Sequence, residues 1–198
     1  QAEGERLGLH YFYQLLDTDQ MQATPALADL VQSAQWCGFS GLNITFPYKQ
    51  QVIPFLDELG ETAKAVGAVN TVVFKDGKRI GHNTDLSGFA LSFQAQMGDT
   101  KHDQVLLIGA GGAGLAVAHA LLMSGVKTLF ITDVSAERAQ ELAQVLSTQY
   151  GANAAQATSI TPELVPQIDG LVNATPVGMA KLPGTPFPLD LLESRLWV

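Results

Sequence analysis

Residues 105–114 read Val105-Leu106-Leu107-Ile108-Gly109-Ala110-Gly111-Gly112-Ala113-Gly114, an apolar run that ends in a glycine-rich turn. The apolar run predicts a buried strand, and the residues from the turn to Met123 predict a helix. The pattern G-x-G-x-x-G between a strand and a helix is the context in which glycines bind a dinucleotide. This stretch therefore predicts a Rossmann-type unit.

Each glycine of the pattern has a physical task. Gly109 permits the tight turn, Gly111 lets the backbone approach a pyrophosphate, and Gly114 lets the helix pack on the sheet. The first helical residues, Gly112 and Ala113, then offer N–H groups to the phosphates. We expect these five residues to bind the cofactor; the alternative is a tight turn that binds nothing.

The second half of the chain continues the alternation of strands and helices. Residues 127–132 and 170–173 predict strands, and residues 135–147 predict a helix. Continuous apolar strands that alternate with helices indicate a doubly wound parallel sheet covered on both faces.

Asp133 follows the second of these strands, near the ~20-residue spacing at which an acidic residue binds the adenosine ribose. A carboxylate there accepts hydrogen bonds from ribose hydroxyls and repels a 2′-phosphate, which favours NAD over NADP. The alternative is that Asp133 only caps a helix. Arg138 either stacks on adenine or is a solvated helix charge.

The first half of the chain predicts a second α/β unit. Asp76-Gly77 is a strong hairpin signal, and Thr24 is the expected N-cap of the first helix. The expected elements are helices over residues 25–37, 47–56 and 84–97, and strands over residues 39–45, 68–74 and 78–81. We predict a substrate domain over residues 1–98 and an NAD-binding Rossmann domain over residues 99–198. Both domains are expected to be incomplete, because Gln1 and the strand-like Leu196-Trp197-Val198 look like cut ends.

Three polar clusters interrupt this first half: residues 41–49, residues 67–71 and residues 81–85. They combine amide, hydroxyl, amine and carboxylate groups with glycine. Such groups suit a small polyhydroxylated molecule, since each alcohol both donates and accepts hydrogen bonds. Beside a dinucleotide, this pocket indicates a dehydrogenase.

The order of these segments resembles the shikimate/quinate dehydrogenase family. Besides the three polar clusters and the glycine turn, the resemblance rests on Ser87-Gly88-Phe89 and on residues 173–179, Asn-Ala-Thr-Pro-Val-Gly-Met. It covers nearly all of the chain. It implies a reversible oxidation of quinate or shikimate, a small cyclic acid, to the 3-dehydro acid.

The resemblance also implies roles for individual residues. Lys49 and Asp85 are the expected catalytic pair, and Thr45 and Asn70 are expected to bind substrate with them. Oxidation of an alcohol needs a base within hydrogen-bond reach of its proton. Burial disfavours a charged lysine whereas a nearby carboxylate favours it, so the sequence leaves open which group accepts the proton. A surface ion pair is the alternative.

The loop after the last predicted strand is expected to border the nicotinamide, through Thr175, Pro176 and Met179. An ordinary proline-stiffened loop is the alternative. Asn43, Asn83 and Thr84 are expected to organise the backbone around the catalytic pair. The family's partner for the substrate carboxylate lies upstream of residue 1.

The cofactor distinguishes branches of the family. In the NADP-using members this position resembles Asn-Arg-Thr. This chain has Thr132-Asp133-Val134 there, which favours the NAD-using quinate/shikimate branch. The rival is the biosynthetic, NADP-dependent shikimate dehydrogenase. A rival of another class is a non-catalytic NAD-sensing module, and a third is a fragment that keeps the fold without the activity.

The composition restricts which other classes of protein this chain could belong to. The 198 residues carry a net charge of −8, which argues against a nucleic-acid partner, and no run reaches the ~20 apolar residues of a membrane span. Cys37 is the single cysteine, as in a reducing cytoplasm. No His, Cys or carboxylate spacing indicates a metal. A homodimer stays open, because the sequence does not fix the oligomeric state.

Overall fold

The computed structural model describes residues 2–21, 23 and 25–198. The strands are β1 (Gly41–Asn43), β2 (Glu58–Leu59), β3 (Thr71–Lys75), β4 (Lys78–His82), β5 (Gln104–Ile108), β6 (Thr128–Thr132), β7 (Ala155–Ala157) and β8 (Gly170–Asn173). The α-helices are α1 (Ala2–Arg6), α2 (Leu27–Trp36), α3 (Glu61–Val66), α4 (Thr84–Met97), α5 (Gly112–Met123) and α6 (Ala136–Tyr150). Short 3-10 helices span Thr18–Gln20, Ile53–Phe55, Val165–Gln167 and Leu189–Leu191.

The strands form two sheets of different character. The first has the order β1-β3-β4-β2, with antiparallel pairs except between β2 and β4. The second has the order β7-β6-β5-β8 and is parallel throughout. The predicted fold class is confirmed: an N-terminal α/β unit and a Rossmann-type parallel sheet. The domain boundary near Gly98 stays a prediction.

The parallel sheet is buried on both faces. Val105 and Leu107 of β5 pack into a cluster with α5 and α6, whereas Leu106 and Ile108 face a second cluster that includes Leu171. Successive side chains of a strand point to opposite faces, so a strand covered on both sides needs an unbroken apolar run. This is why the period-2 pattern of a half-exposed strand is missing here.

The hairpin between β3 and β4 follows its predicted turn. Asp76 and Gly77 have φ angles of 52° and 77°, both in the left-handed region that a two-residue type I′ turn requires. The turn sets Lys75 opposite Lys78 and Thr71 opposite His82. The ends of both strands therefore meet at one edge of the sheet.

Small side chains allow the two units to pack closely. Val66 of α3, Leu86 of α4, and Ala116 and Ala120 of α5 form one buried cluster with Ala68. Alanine at two positions one turn apart lets helices approach, since interaxial distance depends on the side chains at the contact. The cluster holds α4 against α5 and so brings the polar end of the hairpin near the glycine turn.

Several predicted boundaries need correction. The predicted helix over residues 47–56 is wrong: this segment is a series of turns that ends in the 3-10 helix Ile53–Phe55. One carbonyl that a helix would use bonds to a distant residue: the Lys49 carbonyl accepts the N–H of Val69 at 2.7 Å. The first predicted helix is shorter, α2 (Leu27–Trp36), with Ala26 as N-cap, and Thr24 lies outside the described residues.

The last strands and the last helix differ in extent from those predicted. β7 (Ala155–Ala157) has no counterpart in the prediction, because Ala-Gln-Ala lacks the β-branched and aromatic residues of strands. α6 extends to Tyr150, beyond its expected end at Ser147. Trp197 forms an isolated parallel bridge with Gly170 of β8, as a strand beginning there would.

The glycine turn is packed as the pattern requires. Gly109 has φ of 108°, and a Cβ on it would lie 3.0 Å from the Ala174 backbone. A Cβ on Gly114 would lie 1.9 Å from the carbonyl oxygen of Gly109. These two positions exclude any side chain, whereas Gly111 has open space around its Cβ position.

Gly114→Ala is expected to destabilise the protein by roughly 1–3 kcal/mol, because backbone must move to admit the methyl group. Gly111→Ala is the matched control. It has φ of −79° at the N-cap of α5, where glycine is better than alanine by ~1 kcal/mol or less. Thermal unfolding followed by circular dichroism gives the comparison. Equal losses in both variants would contradict the close packing.

His119 of α5 is the one histidine fully buried among the described residues. Its Nδ1 lies 3.0 Å from the Tyr150 hydroxyl, and its Nε2 has no partner within the described part of the chain. Burial lowers its pKa from the usual 6.5. The folded state therefore holds the ring neutral while the unfolded chain takes up a proton below that pH.

Because the folded pKa is lowered, His119 is expected to cost stability as pH falls below 6.5, by up to about 1.4 kcal/mol per pH unit. His119→Leu keeps the volume and removes the proton site. Urea unfolding of both proteins between pH 5 and 8 should show the wild type losing stability faster in acid. Parallel curves would rule this out, since the other histidines are common to both.

Candidate active site

Lys49 and Asp85 meet at the edge where the hairpin ends. The Lys49 Nζ lies 2.5 Å from Asp85 Oδ2, and the two side chains are 22% and 37% exposed. Lys49 comes from the turns after β1 and Asp85 from the first turn of α4. The structure thus brings together the two residues that the sequence predicts as catalytic. Both side chains are partly buried, and each leaves part of its surface open to solvent.

Asn70 holds the carboxylate of this pair. Its Nδ2 donates to Asp85 Oδ1 at 2.8 Å, and its Oδ1 accepts the N–H of Thr84 at 2.9 Å. A backbone N–H only donates, so this contact fixes which end of the amide faces Asp85. Both oxygens of Asp85 therefore have a partner, one on Lys49 and one on Asn70.

Thr71 and Thr84 complete this network; the sequence predicted a role around the catalytic pair for Thr84 but none for Thr71. The Thr71 hydroxyl donates to Asn70 Oδ1 at 3.0 Å, and the Thr84 hydroxyl lies 3.0 Å from Asn70 Nδ2. The signal was present in the hairpin: the register that sets Thr71 opposite His82 also brings Asn70 beside Thr84.

Asn83 sets the position of Asp85, as expected for a residue that organises the backbone. The side chain is buried, donates to the Ala68 carbonyl at 3.0 Å, and accepts the N–H groups of Asp85 and Leu86. It is the N-cap of α4. Asp85 consequently lies in the first turn, where the helix dipole favours a carboxylate.

Thr45 differs from the other expected substrate residues. Its side chain is exposed, and its hydroxyl lies 3.4 Å from the Phe46 carbonyl oxygen. The preceding residue, Ile44, donates its N–H to the Asn70 carbonyl at 2.8 Å. Thr45 therefore lies next to the cluster along the chain but outside its hydrogen-bond network.

The glycine turn adjoins this pair. A Cβ on Gly112 would lie 3.9 Å from the Cδ of Lys49, so the start of α5 lies close to the lysine side chain. The first turn of any α-helix leaves N–H groups without intrahelical partners. With the glycine cradle, these groups fit the pyrophosphate of a dinucleotide. Gly109, Gly111, Gly112, Ala113 and Gly114 would hold it there.

Asp133 lies at the end of β6, beside the same turn. Its Oδ2 accepts the Ala110 N–H at 2.7 Å and its Oδ1 accepts the Ser135 N–H at 2.9 Å. Burial raises the pKa of this carboxyl, but the two N–H donors and Arg138 together outweigh burial and hold the pKa below 3.8. Ser135, and not Asp133, is the N-cap of α6.

Arg138 is ion-paired with Asp133. Its guanidinium lies 2.9 Å from Asp133 Oδ1. Stacking of Arg138 on adenine stays a prediction. The Arg138 side chain is 54% exposed, and the Asp133 side chain 8%. The adjoining Val134 is fully exposed.

The loop after β8 borders the glycine turn from the other side. Asn173 Oδ1 accepts the N–H and hydroxyl of Thr175 at 2.9 and 2.7 Å. The methyl group of Thr175 lies 3.0 Å from the Cβ position of Gly109. Pro176 and the exposed Met179 follow it. The loop is thus built around Asn173 and faces the turn.

Across residues 2–21, 23 and 25–198, no group of three or more His, Cys, Asp or Glu side chains is arranged to hold a metal ion. Within that part of the chain, no helix is long and apolar enough to cross a membrane.

Comparison with known families matches both halves of the chain. Residues 1–72 match the model described as "Shikimate dehydrogenase substrate binding domain". Residues 92–177 match the model described as "Shikimate / quinate 5-dehydrogenase".

Individual relatives cover the whole chain. It is 49% identical to a protein of Streptomyces avermitilis named "Shikimate dehydrogenase (NADP(+))", over 100% of this chain and 69% of the relative. It is 43% identical to a "Quinate/shikimate dehydrogenase (NAD(+))" of Corynebacterium glutamicum strain R, over 100% of this chain and 71% of the relative.

One solved structure of the same family is similar to this chain over nearly its whole length. The quinate dehydrogenase of Corynebacterium glutamicum in complex with NAD superposes with a TM-score of 0.88 at 42% identity, over 99% of this chain and 71% of the other. The chain therefore belongs to the shikimate/quinate dehydrogenase family, whose enzymes are oxidoreductases that use a pyridine nucleotide.

Proposed function

We propose that this protein reversibly oxidises quinate or shikimate to the 3-dehydro acid, with NAD as the hydride acceptor. The observation that carries the proposal is the pair of Lys49 and Asp85, held by Asn70 and lying close to the glycine turn at Gly112. A proton acceptor and a dinucleotide cradle then adjoin one space. The reaction would occur between a substrate domain of residues 1–98 and a Rossmann domain of residues 99–198.

The pair supplies the proton transfer. Removal of the hydroxyl proton must accompany loss of hydride from the carbon, and a group within about 3 Å can take it. Lys49 and Asp85 lie 2.5 Å apart and share one hydrogen bond, so we treat them as one unit that takes up the proton. A bound NAD supplies the hydride acceptor.

The surrounding residues orient the substrate. Asn70 holds Asp85 through its amide NH2, and Thr45 has an exposed hydroxyl that contacts only the neighbouring Phe46 carbonyl, at 3.4 Å, among the hydrogen bonds of the described residues. We propose that both bind ring hydroxyls, as alcohol groups pair with an amide or another hydroxyl. Thr175, Pro176 and Met179 would border the nicotinamide half of the cofactor.

Asp133 supports NAD over NADP. Relatives that carry either cofactor in their names are 49% and 43% identical to this chain, so identity does not choose between them. A buried carboxylate beside the first glycine favours ribose hydroxyls and repels a 2′-phosphate. Cytoplasmic location is part of the same proposal, supported by the single cysteine.

Lys49→Met and Asp85→Asn are each expected to lower kcat by about 10²–10⁴-fold, because general base catalysis contributes about that much. Initial rates of the full-length protein with quinate and shikimate provide the measurement. Lys64→Met is the matched control: Lys64 pairs with Glu61 on the exposed side of α3. Full activity in Lys49→Met would remove the lysine from the mechanism.

Wild-type kcat/KM is expected to be higher with NAD than with NADP for the better of the two substrates. Asp133→Asn should narrow that ratio by about tenfold or more, the scale of one charged contact. A wild-type preference for NADP would return the protein to the biosynthetic branch. Nucleotide binding without turnover of either substrate would favour the non-catalytic NAD-sensing module.

A further inference from the structure

The side-chain amide of Asn70 has every hydrogen-bonding position filled in this structure. Its Oδ1 has two lone pairs, which accept the Thr71 hydroxyl at 3.0 Å and the Thr84 N–H at 2.9 Å. Its Nδ2 has two hydrogens, one for Asp85 Oδ1 at 2.8 Å and one for the Thr84 hydroxyl at 3.0 Å. Since Oδ1 is filled, the Thr84 hydroxyl, 3.2 Å from it, accepts from Nδ2 and does not donate to Oδ1. A ring hydroxyl can take the place of the exposed Thr84 hydroxyl and leave the other three bonds intact.

These bonds form a chain that runs in one direction. The backbone N–H of Thr84 can only donate, so it fixes Oδ1 on its side of the amide, and the Thr71 hydroxyl must then donate as well. The NH2 group donates in turn to Asp85, whose other oxygen lies 2.5 Å from the Lys49 Nζ. Hydrogen bonds arranged head to tail polarise one another, so a donor on Oδ1 strengthens the bond from Nδ2 to the carboxylate. The Thr71 hydroxyl is therefore coupled to the catalytic pair through Asn70.

The first sheet holds Thr71 firmly. Thr71 begins β3, an interior strand, and is paired on both sides, opposite Asn43 of β1 and His82 of β4. Its side chain is half-buried, and a β-branched side chain has few accessible rotamers. The sheet thus sets the position of the hydroxyl, and the hydroxyl holds the Asn70 amide, which lies just before the strand.

We propose that Thr71 is a positioning residue for the proton transfer: its hydroxyl holds and polarises the Asn70 amide, which in turn holds Asp85 beside Lys49. Thr71 acts entirely through Asn70, so its effect disappears when the amide is absent. The inference rests on the proposed function in one respect, that Lys49 and Asp85 take up the substrate proton.

Initial rates of the full-length protein with quinate and shikimate test this role. Thr71→Val keeps the branched shape and removes the hydroxyl. It is expected to lower kcat by about three- to tenfold, the scale of one neutral hydrogen bond, and to leave the KM for NAD unchanged. Thr71→Ser restores the hydroxyl and should recover most of the rate. Thr128→Val is the matched control and should keep the wild-type rate, since Thr128 is also half-buried at the start of a strand but lies in the other sheet.

A double-mutant cycle distinguishes a positioning role from a purely structural one. In an Asn70→Ala background, Thr71→Val should cause no further loss of kcat, because no amide is left for the hydroxyl to hold. The same fold-loss in that background would overturn the proposal. A wild-type kcat in Thr71→Val, or a Thr71→Ser variant as slow as Thr71→Val, would overturn it as well. Thermal unfolding checks each variant; valine suits a strand, so Thr71→Val is expected to fold.

Nuclear magnetic resonance tests the same role without turnover. The two side-chain amide protons of Asn70 can be assigned in the isotope-labelled full-length protein by their loss in Asn70→Ala. Thr71→Val should move the proton that bonds to Asp85 upfield, as that bond weakens, and Thr71→Ser should restore its position. Wild-type turnover of neither substrate would remove the proposed function, whereas Asn70 signals unmoved in Thr71→Val would overturn the role of Thr71.

Discussion

The arrangement of the site depends on one buried amide, Asn83. Its three hydrogen bonds join the Ala68 carbonyl, before β3, to the second and third N–H groups of α4, those of Asp85 and Leu86. A buried amide without those partners would cost about 1–3 kcal/mol for each unmet group, so α4 has one favourable starting point. That point decides where Asp85 lies, and Leu86 in the next position enters the cluster shared with α5.

The start of α4 also lies where the catalytic pair and the glycine turn come together. On one side, the hairpin register brings Asn70 to Asp85; on the other, the alanines of α5 let the glycine turn approach Lys49. Neither contact is local in sequence, since Asn70 and Asp85 are 15 residues apart and Lys49 and Gly112 come from different halves of the chain. Close packing of small residues thus converts separate polar motifs into one site.

Sequence reasoning succeeded where a short-range rule fixes geometry. Asp76-Gly77 predicted a turn with two positive φ angles, and the structure has them. Gly109 and Gly114 predicted close approach of the backbone, which the structure also shows. It failed over residues 47–56, because the Lys49 carbonyl pairs with the distant Val69 N–H, which no local pattern reveals. The Asp133–Arg138 ion pair was missed for another reason: a long flexible side chain has several compatible partners, and only the three-dimensional environment selects one.

Cofactor choice shows why overall similarity and site chemistry can point in different directions. Identity of 49% or 43% averages over some 200 positions, most of which pack the core or face solvent. Discrimination between NAD and NADP depends on the charge at one phosphate, and each tenfold preference needs only ~1.4 kcal/mol. A single ion pair such as that of Asp133 and Arg138 is of this size when partly buried. We therefore base the proposed preference for NAD on the charge of Asp133 and not on the names of the relatives.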